Sequence, residues 1–227
     1  MLVEGCDELT LALSSGLKPQ SLLTAPELDP ISMDISPADI TTVTRAVFEK
    51  ISYRDNPDGW LGIFPIPKTA LEDLKMSEIP LVIVAESVEK PGNLGAILRT
   101  ADAAHVDAVI VCDPRVDLWN PNVIRASRGA VFAVPTVEVD SSAALAWLRS
   151  KGMRVLAATP SAEALYTSVD LNQPIAIAVG TEDEGLTDFW MKNADLKVKI
   201  PMMGKVNSLN VSIATALITY EVVRQRK

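Results

Sequence analysis

Three stretches of the chain, Leu81-Val82-Ile83-Val84-Ala85, Ala108-Val109-Ile110-Val111 and Ile175-Ala176-Ile177-Ala178-Val179, are apolar at every position. A strand with one face in water alternates polar with apolar residues, so an unbroken apolar strand must be covered on both faces. Helical spacing fills the segments between these strands. From residue 81 onward the expected fold class is therefore α/β, a parallel sheet with helices on both sides. Further strands are expected at Val131 to Val139, Val155 to Ala158 and Leu196 to Ile200. Helices are expected at Leu94 to Ala104, Asn122 to Arg128, Ser141 to Lys151 and Thr187 to Asn193, with a last one from about Ser208. Sheets of this kind hold ligands beyond the carboxyl ends of their strands.

Residues 1–80 have a different texture. An amphipathic segment from Asp7 to Leu13 stops at Ser14-Ser15-Gly16, and Leu22 to Thr24 forms a short strand. Ser36-Pro37-Ala38-Asp39 starts a helix to about Lys50, with Pro at its first position and Ile40, Val43, Ala46 and Val47 on the buried face. A turn cluster, Asp55 to Gly59, precedes a β run from Trp60 to Ile66. The expected layout is a small α/β domain over 1–72, a linker over 73–80 and a larger α/β domain over 81–227.

Composition excludes several function classes. A chain of 227 residues that is 48% hydrophobic has enough core material to rule out global disorder. No apolar run reaches the roughly 18 residues of a membrane span. Cys6, Cys112 and the lone His105 give neither a disulfide framework nor a zinc spacing, so no metal is expected. His105 reads as a helix-end residue, Cys112 as a small buried hydrophobe, and Met202-Met203 as pocket lining. Together these place the chain in a reducing cytoplasm. Its abrupt opening, Met1-Leu2-Val3-Glu4-Gly5, suggests that an N-terminal extension is missing. The net charge of −8 argues against a nucleic-acid binder, but it is uneven: residues 1–80 hold 6 Lys and Arg against 13 Asp and Glu, residues 81–227 hold 15 against 16.

Three strand ends carry polar clusters. The first strand leads into Lys90-Pro91-Gly92-Asn93, with Asn93 a good helix cap. Leu94, Ile97, Leu98 and Ala101 then form a buried stripe. Arg99 lies off that stripe, within reach of Asp102. Gly95 costs about 1 kcal/mol against Ala in mid-helix, so something approaches closely there. A second cluster, Gly180-Thr181-Glu182-Asp183-Glu184-Gly185-Leu186, brackets three acids between glycines. The third, Ile200-Pro201-Met202-Met203-Gly204 and then Ser208-Leu209-Asn210, opens a helix that is apolar nearly all round, with Asn207 or Ser208 as its expected cap.

Together these segments resemble the SpoU/TrmH family of RNA ribose 2′-O-methyltransferases in the SPOUT superfamily. Its Asn-x-Gly-x-x-x-Arg-Thr motif appears as Asn93 to Thr100, its Gly-x-Glu-x-x-Gly-Leu motif as Gly180 to Leu186, and its Ile-Pro-Met-x-Gly and Ser-Leu-Asn-Val-Ser pair as Ile200 to Gly204 and Ser208 to Ser212. The resemblance covers residues 81–227. Residues 1–80 are similar, more loosely, to the family's L30e-like substrate-binding domain. It implies a C-terminal trefoil knot, a homodimer, and S-adenosyl-L-methionine held by Gly180, Ile200, Leu209, Thr159 and Met202. The catalytic set it implies is Arg99, Asn93, Glu182, Ser208 and Asn210, acting on RNA, with ribosomal RNA the expected substrate. A guanidinium stays protonated, so Arg99 is read as a phosphate and alkoxide contact rather than a base. Asp183 departs from the family's small residue, and the acid total requires either a basic N-terminal extension or a dimer that gathers Arg99, Arg125, Arg128 and Lys205 into a local patch, with Trp60 as a stacking platform or a core residue. The competing readings are a transfer RNA enzyme, a non-catalytic RNA-binding protein and a Rossmann enzyme. Gly92-Asn93-Leu94-Gly95 lacks the Rossmann glycine spacing.

Overall fold

The computed structural model describes residues 1–28, 30–31 and 40–227. In the first 80 residues, β1 (Leu2–Glu4), α1 (Cys6–Ser14), β2 (Ser21–Thr24), β3 (Ile40–Thr42), α2 (Arg45–Ile51) and β4 (Trp60–Ile63) build a sheet of order β1-β4-β2-β3. The long helix expected up to Lys50 is shorter. Ile40 to Thr42 are extended and pair in parallel with Leu22 to Thr24. The β-branched run Ile40-Thr41-Thr42-Val43 suits a pleated strand better than a helix. Thr44 then caps α2, its side chain accepting from the Val47 N–H. Helix α2 buries Phe48. Val47 and Ile40 are exposed, Ala46 is too, and Val43 is half-buried. The expected start at residues 36–39 lies outside the described residues.

From residue 81 the elements are β5 (Leu81–Glu86), α3 (Pro91–Ala103), β6 (Ala108–Cys112), α4 (Pro121–Ala126), α5 (Ala130–Ala133), β7 (Thr136–Val139), α6 (Ser141–Ser150), β8 (Arg154–Ala158), β9 (Ala164–Leu165), β10 (Ile175–Val179), α7 (Asp188–Asn193), β11 (Leu196–Lys199) and α8 (Val211–Gln225). The sheet runs β7-β6-β5-β10-β8-β11-β9, and every pairing in it is parallel. The three apolar strands lie side by side at its centre. Alternate residues feed opposite cores. Ile83, Val109 and Ile177 pack with Leu94, Leu98 and Ile218, whereas Val84, Ile110 and Ala178 pack with Trp147, Leu148 and Trp190. Val3, Leu9, Leu22 and Phe64 of the first unit belong to the former core.

The strand expected over Val131 to Val139 is halved. Gly129 sits in the left-handed region (φ 81°) and starts the short helix α5. Pro135 has no N–H with which to prolong that helix, and the strand begins only at Thr136. Gly95 has a packing cause. A Cβ there would lie 2.5 Å from the Ala126 Cβ and 2.7 Å from the Ser127 nitrogen, so helices α3 and α4 meet backbone to backbone.

Two groups at its far end lock α8 in place. The Arg226 guanidinium donates to the carbonyls of Ile79 (2.7 Å) and Gln173 (2.7 Å), with longer bonds to Pro80 and Leu171. Glu221, buried, accepts from Arg224 (2.7 and 2.8 Å) and Gln225 (2.8 Å), while Gln225 also accepts from the Leu171 N–H (2.9 Å). The Arg224 hydrogen bonds hold the Glu221 carboxyl down at about 2. A depressed carboxylate stabilises the fold above its unfolded value near 4.5 and loses that contribution as pH falls toward 2. In urea melts across this range, Glu221→Gln should be less stable than wild type at pH 7. The two should converge by pH 2; a gap independent of pH would refute the ion-pair role.

Candidate active site

The chain leaves β5 toward one edge of the sheet, building β6 and β7, and returns to the other side of β5 as β10. The adjoining carboxyl ends of β5 and β10 are therefore a topological switch point. Glu86, Asn93 and Lys90 follow the first strand, and the loop 180–186 follows the second. The loop 200–210 after β11 joins them.

Loop 180–186 closes on itself. Thr181 N–H donates to the Gly185 carbonyl (3.0 Å) and Gly185 N–H to the Thr181 carbonyl (3.2 Å). Gly185 has φ 73°, and a Cβ on Gly180 would lie 2.1 Å from the Gly185 oxygen. Both glycines are thus required by the backbone path. The loop's exit is held by a residue that sequence reasoning passed over. Glu86, 2% exposed, accepts from the Thr187 N–H (2.8 Å) and the Thr187 hydroxyl (2.6 Å). Its only signal in the sequence is a charged residue closing an otherwise apolar strand.

Asn93 does not cap its helix. Pro91 starts α3 from Lys90, which frees the Asn93 amide. Its Nδ2 donates to Glu182 Oε1 (2.9 Å), and its Oδ1 accepts from Asn210 Nδ2 (3.0 Å). Asn210 also donates to Glu182 Oε1. It, rather than Asn207 or Ser208, caps α8, its Oδ1 accepting from the Ser212 N–H (3.0 Å) and hydroxyl (2.6 Å). Lys90 Nζ forms an ion pair with Glu182 Oε2. One hydrogen-bonded cluster thus joins all three strand-end segments. The Lys90 hydrogen bond, then that of Asn93, holds the Glu182 carboxyl below the usual carboxylate range, and Glu182 pushes the Lys90 ammonium up.

Beside this cluster lies a cavity of about 470 Å³. Thr159, Gly180, Ile200, Met202 and Leu209 all line it, together with Glu182 and Ser208. Val198, Val211 and Ile218 add to its apolar lining, and Asp183 and Glu184 line it with Glu182. Met203 turns away, 95% exposed, so only Met202 lines the pocket. Volume and lining suit a ligand with an apolar body and a positive group.

Arg99 stands apart. Six residues beyond Asn93 on α3, it lies about 9 Å along the axis and two-thirds of a turn round. It is exposed, forms no ion pair with Asp102 among the described residues, and opens on a second groove with Thr100, Arg128 and Tyr220. Three of the expected cations are neighbours within one chain, since Arg128 lines the groove of Arg99 and also that of Arg125, while Lys205 lines neither. Arg128 pairs with Asp7 (3.2 Å), Arg125 shares a groove with Asp55 and Asp58, and Lys205 lies on the exposed 200–210 loop. Trp60 is no stacking platform: it is 7% exposed, and its Nε1 donates to the Ile31 carbonyl (2.8 Å). His105 is an exposed helix-end residue at φ 53°. Burial, then Asp113, pushes the Cys112 thiol up to about 12, so it is inert at neutral pH.

Comparison with known proteins agrees with this geometry. Residues 80–220 match the SpoU rRNA Methylase family and residues 1–62 an MRM3-like substrate binding domain. The chain belongs to the SpoU rRNA methylase family. Among its relatives, a 23S rRNA (guanosine-2′-O-)-methyltransferase RlmB of Pseudomonas putida is 40% identical over 149 residues, 65% of this chain and 60% of the relative. A crystal structure of an RNA 2′-O ribose methyltransferase superimposes with a TM-score of 0.87 at 41% identity, covering 100% of this chain and 88% of that one. The SpoU methyltransferase AviRb of Streptomyces viridochromogenes, solved in complex with the cofactor AdoMet, gives 0.90 at 25% identity, covering 100% and 90%. The chain spans about 60% of the length of the curated relatives it matches.

Removing the Glu86 carboxylate takes away both hydrogen bonds of Thr187, an exposed residue whose donors then turn to water, at a cost of about 0.5–1.5 kcal/mol for each bond. Glu86→Ala should lower stability by that amount and speed amide exchange across residues 180–187. Unchanged exchange there would show that the loop holds itself.

Proposed function

We propose that the protein transfers a methyl group from S-adenosyl-L-methionine to a ribose 2′-hydroxyl of RNA, with ribosomal RNA as substrate. The observation that carries this reading is the Asn93–Glu182–Asn210 cluster, which ties three loops around one cavity. The cavity residues fit the cofactor. Ile200, Met202 and Leu209 offer apolar contact to its adenosine, the tight backbone at Gly180 allows close approach, and three carboxylates favour a cationic sulfonium. Bound there, S-adenosylmethionine supplies an electrophilic methyl carbon.

The chain's own groups then have to bring a ribose oxygen in line and draw off its proton. Glu182, an ionised carboxylate whose pKa Lys90 and Asn93 lower further, accepts the hydrogen of the ribose hydroxyl. Asn93, Ser208 and Asn210 fix the carboxylate and the sugar. Arg99 remains cationic throughout, so its part is to hold a phosphate and to stabilise charge developing on the oxygen.

Within one chain Arg99 does not line the cavity, which points to a site shared between two copies. On α8, next to α3, Ile213, Leu217 and Tyr220 are exposed at i, i+4 and i+7. That apolar stripe is the proposed homodimer face, adjoining the Arg99 groove. The trefoil knot, with α8 passing behind the 180–186 loop, belongs to the same reading, as does an L30e-like substrate-binding role for residues 1–72. The name of the Pseudomonas putida relative and that of the SpoU rRNA Methylase family favour ribosomal over transfer RNA.

Two inactive variants test the shared site. Leu209→Glu buries a charge against the cofactor and should abolish its binding. Arg99→Ala should keep cofactor affinity and lose methyl transfer, since it removes an interaction made mainly in the transition state. Mixed after dissociation and reassociation, the two should regain transfer, because one subunit supplies Arg99 to the intact pocket of the other. Silence in the mixture, with mixed dimers verified by mass, would place Arg99 in its own subunit's site. An active Arg99→Ala would remove its role altogether.

A further inference from the structure

The cavity and its small annex at Asn93 are strongly one-sided in charge. Glu89, Glu182, Asp183 and Glu184 line the two, and among the described residues Lys90 is the only cationic side chain that does. A polyanion entering this mouth from solvent therefore meets four carboxylates of the same chain, of which Glu89 is paired with Arg115 and Glu182 with Lys90. That ammonium is engaged, since its partner is Glu182, the carboxylate at the centre of the cluster.

The two partners differ in setting. The Lys90 side chain is 68% exposed, whereas that of Glu182 is 24% exposed and keeps two further donors, Asn93 and Asn210. An ion pair open to water on one side contributes little net stability and exchanges readily. Glu182 would keep its position without Lys90, because two amides from two different helices still hold one of its oxygens. The oxygen freed is Oε2, the one the amides do not hold.

We propose that Lys90 is a positioning residue that changes partner. In the free protein it covers Glu182 Oε2, and on docking of RNA it moves to a backbone phosphate, which uncovers that oxygen beside the cavity for the ribose hydroxyl. This inference rests on the RNA reading above and adds to it a specific contact and an order of events. The pair keeps Glu182 ionised and masked until a phosphate arrives, so a lone negative charge does not confront the polyanion at the mouth. The fall in pKa that Lys90 imposes on Glu182 agrees with close pairing in the free state.

The test is a double-mutant cycle on the full chain, read by filter binding of in-vitro transcribed 23S ribosomal RNA across a salt series. Lys90→Met should weaken binding and reduce the salt slope by about one released counterion. Glu182→Gln should tighten binding by releasing Lys90. The gain should be several-fold larger with Lys90 present than in the Lys90→Met background. Lys90→Arg should restore both affinity and slope. Calorimetry with S-adenosylhomocysteine should give the wild-type affinity for Lys90→Met, confirming a folded pocket. Equal Glu182→Gln gains in the two backgrounds, or an unchanged slope in Lys90→Met, would overturn the exchange while leaving the methyl-transfer reading intact. A wild-type chain that binds neither the RNA nor S-adenosylhomocysteine would overturn both.

Discussion

The site depends on one hydrogen-bonded junction, in which Asn93 and Asn210 converge on a single oxygen of Glu182. These residues come from the start of α3, the start of α8 and the loop after β10. None of the three segments has the apolar content to hold its own geometry, and together they wall the main cavity and its annex. Asn210 acts twice, since its oxygen caps α8 while its nitrogen reaches Glu182. The position of the last helix and the shape of the pocket are thereby one structural fact. Glu86 gives the same loop a second tether from below, through Thr187. A buried carboxylate of this kind is tolerated only because both its oxygens are satisfied.

Much of the architecture was legible in the sequence because burial is a strong signal. Three strands without a polar residue can only be central and parallel, and the structure places them side by side. The cavity residues were legible only through the resemblance, whose motifs fall at strand ends, where such sheets put ligands. Short-range choices were less legible. Asn93 has the chemistry of a cap, yet Pro91 two residues earlier already starts the helix and leaves Asn93 to look outward. After Asp39 the Ser36-Pro37 start signal and the apolar spacing both point to a helix, but the β-branched run there pairs with β2 instead. Val131 and Phe132 were read as strand, although Gly129 and Pro135 confine them to a single helical turn. Glu86 was passed over because nothing in a sequence distinguishes a buried carboxylate with two donors from an exposed one.

Charge is the physical problem that this chain sets for an RNA reading. The formal total is −8, and the cavity itself is acidic. For a cationic cofactor that is an advantage, since carboxylates at the mouth attract a sulfonium. For a polyanionic substrate it is a cost, and Arg99, Arg125 and Arg128, which could offset it, line other grooves than the cavity, with Arg128 paired to Asp7. Assembly of two copies through the α8 stripe would bring Arg99 of one to the mouth of the other, and exchange of Lys90 would reduce the remaining repulsion. The two devices act on different terms, one on the number of cations near the mouth and one on their availability.

If the junction of Asn93, Glu182 and Asn210 shapes a cavity that holds the cofactor between the loops 180–186 and 200–210, titration of S-adenosylhomocysteine into methyl-labelled protein, followed by NMR, will give saturable shifts centred on Ile200, Met202, Leu209, Thr159 and Ile218, with Met203 unmoved. Shifts centred on the groove around Arg99 and Tyr220, or no saturable shift at all, would contradict it.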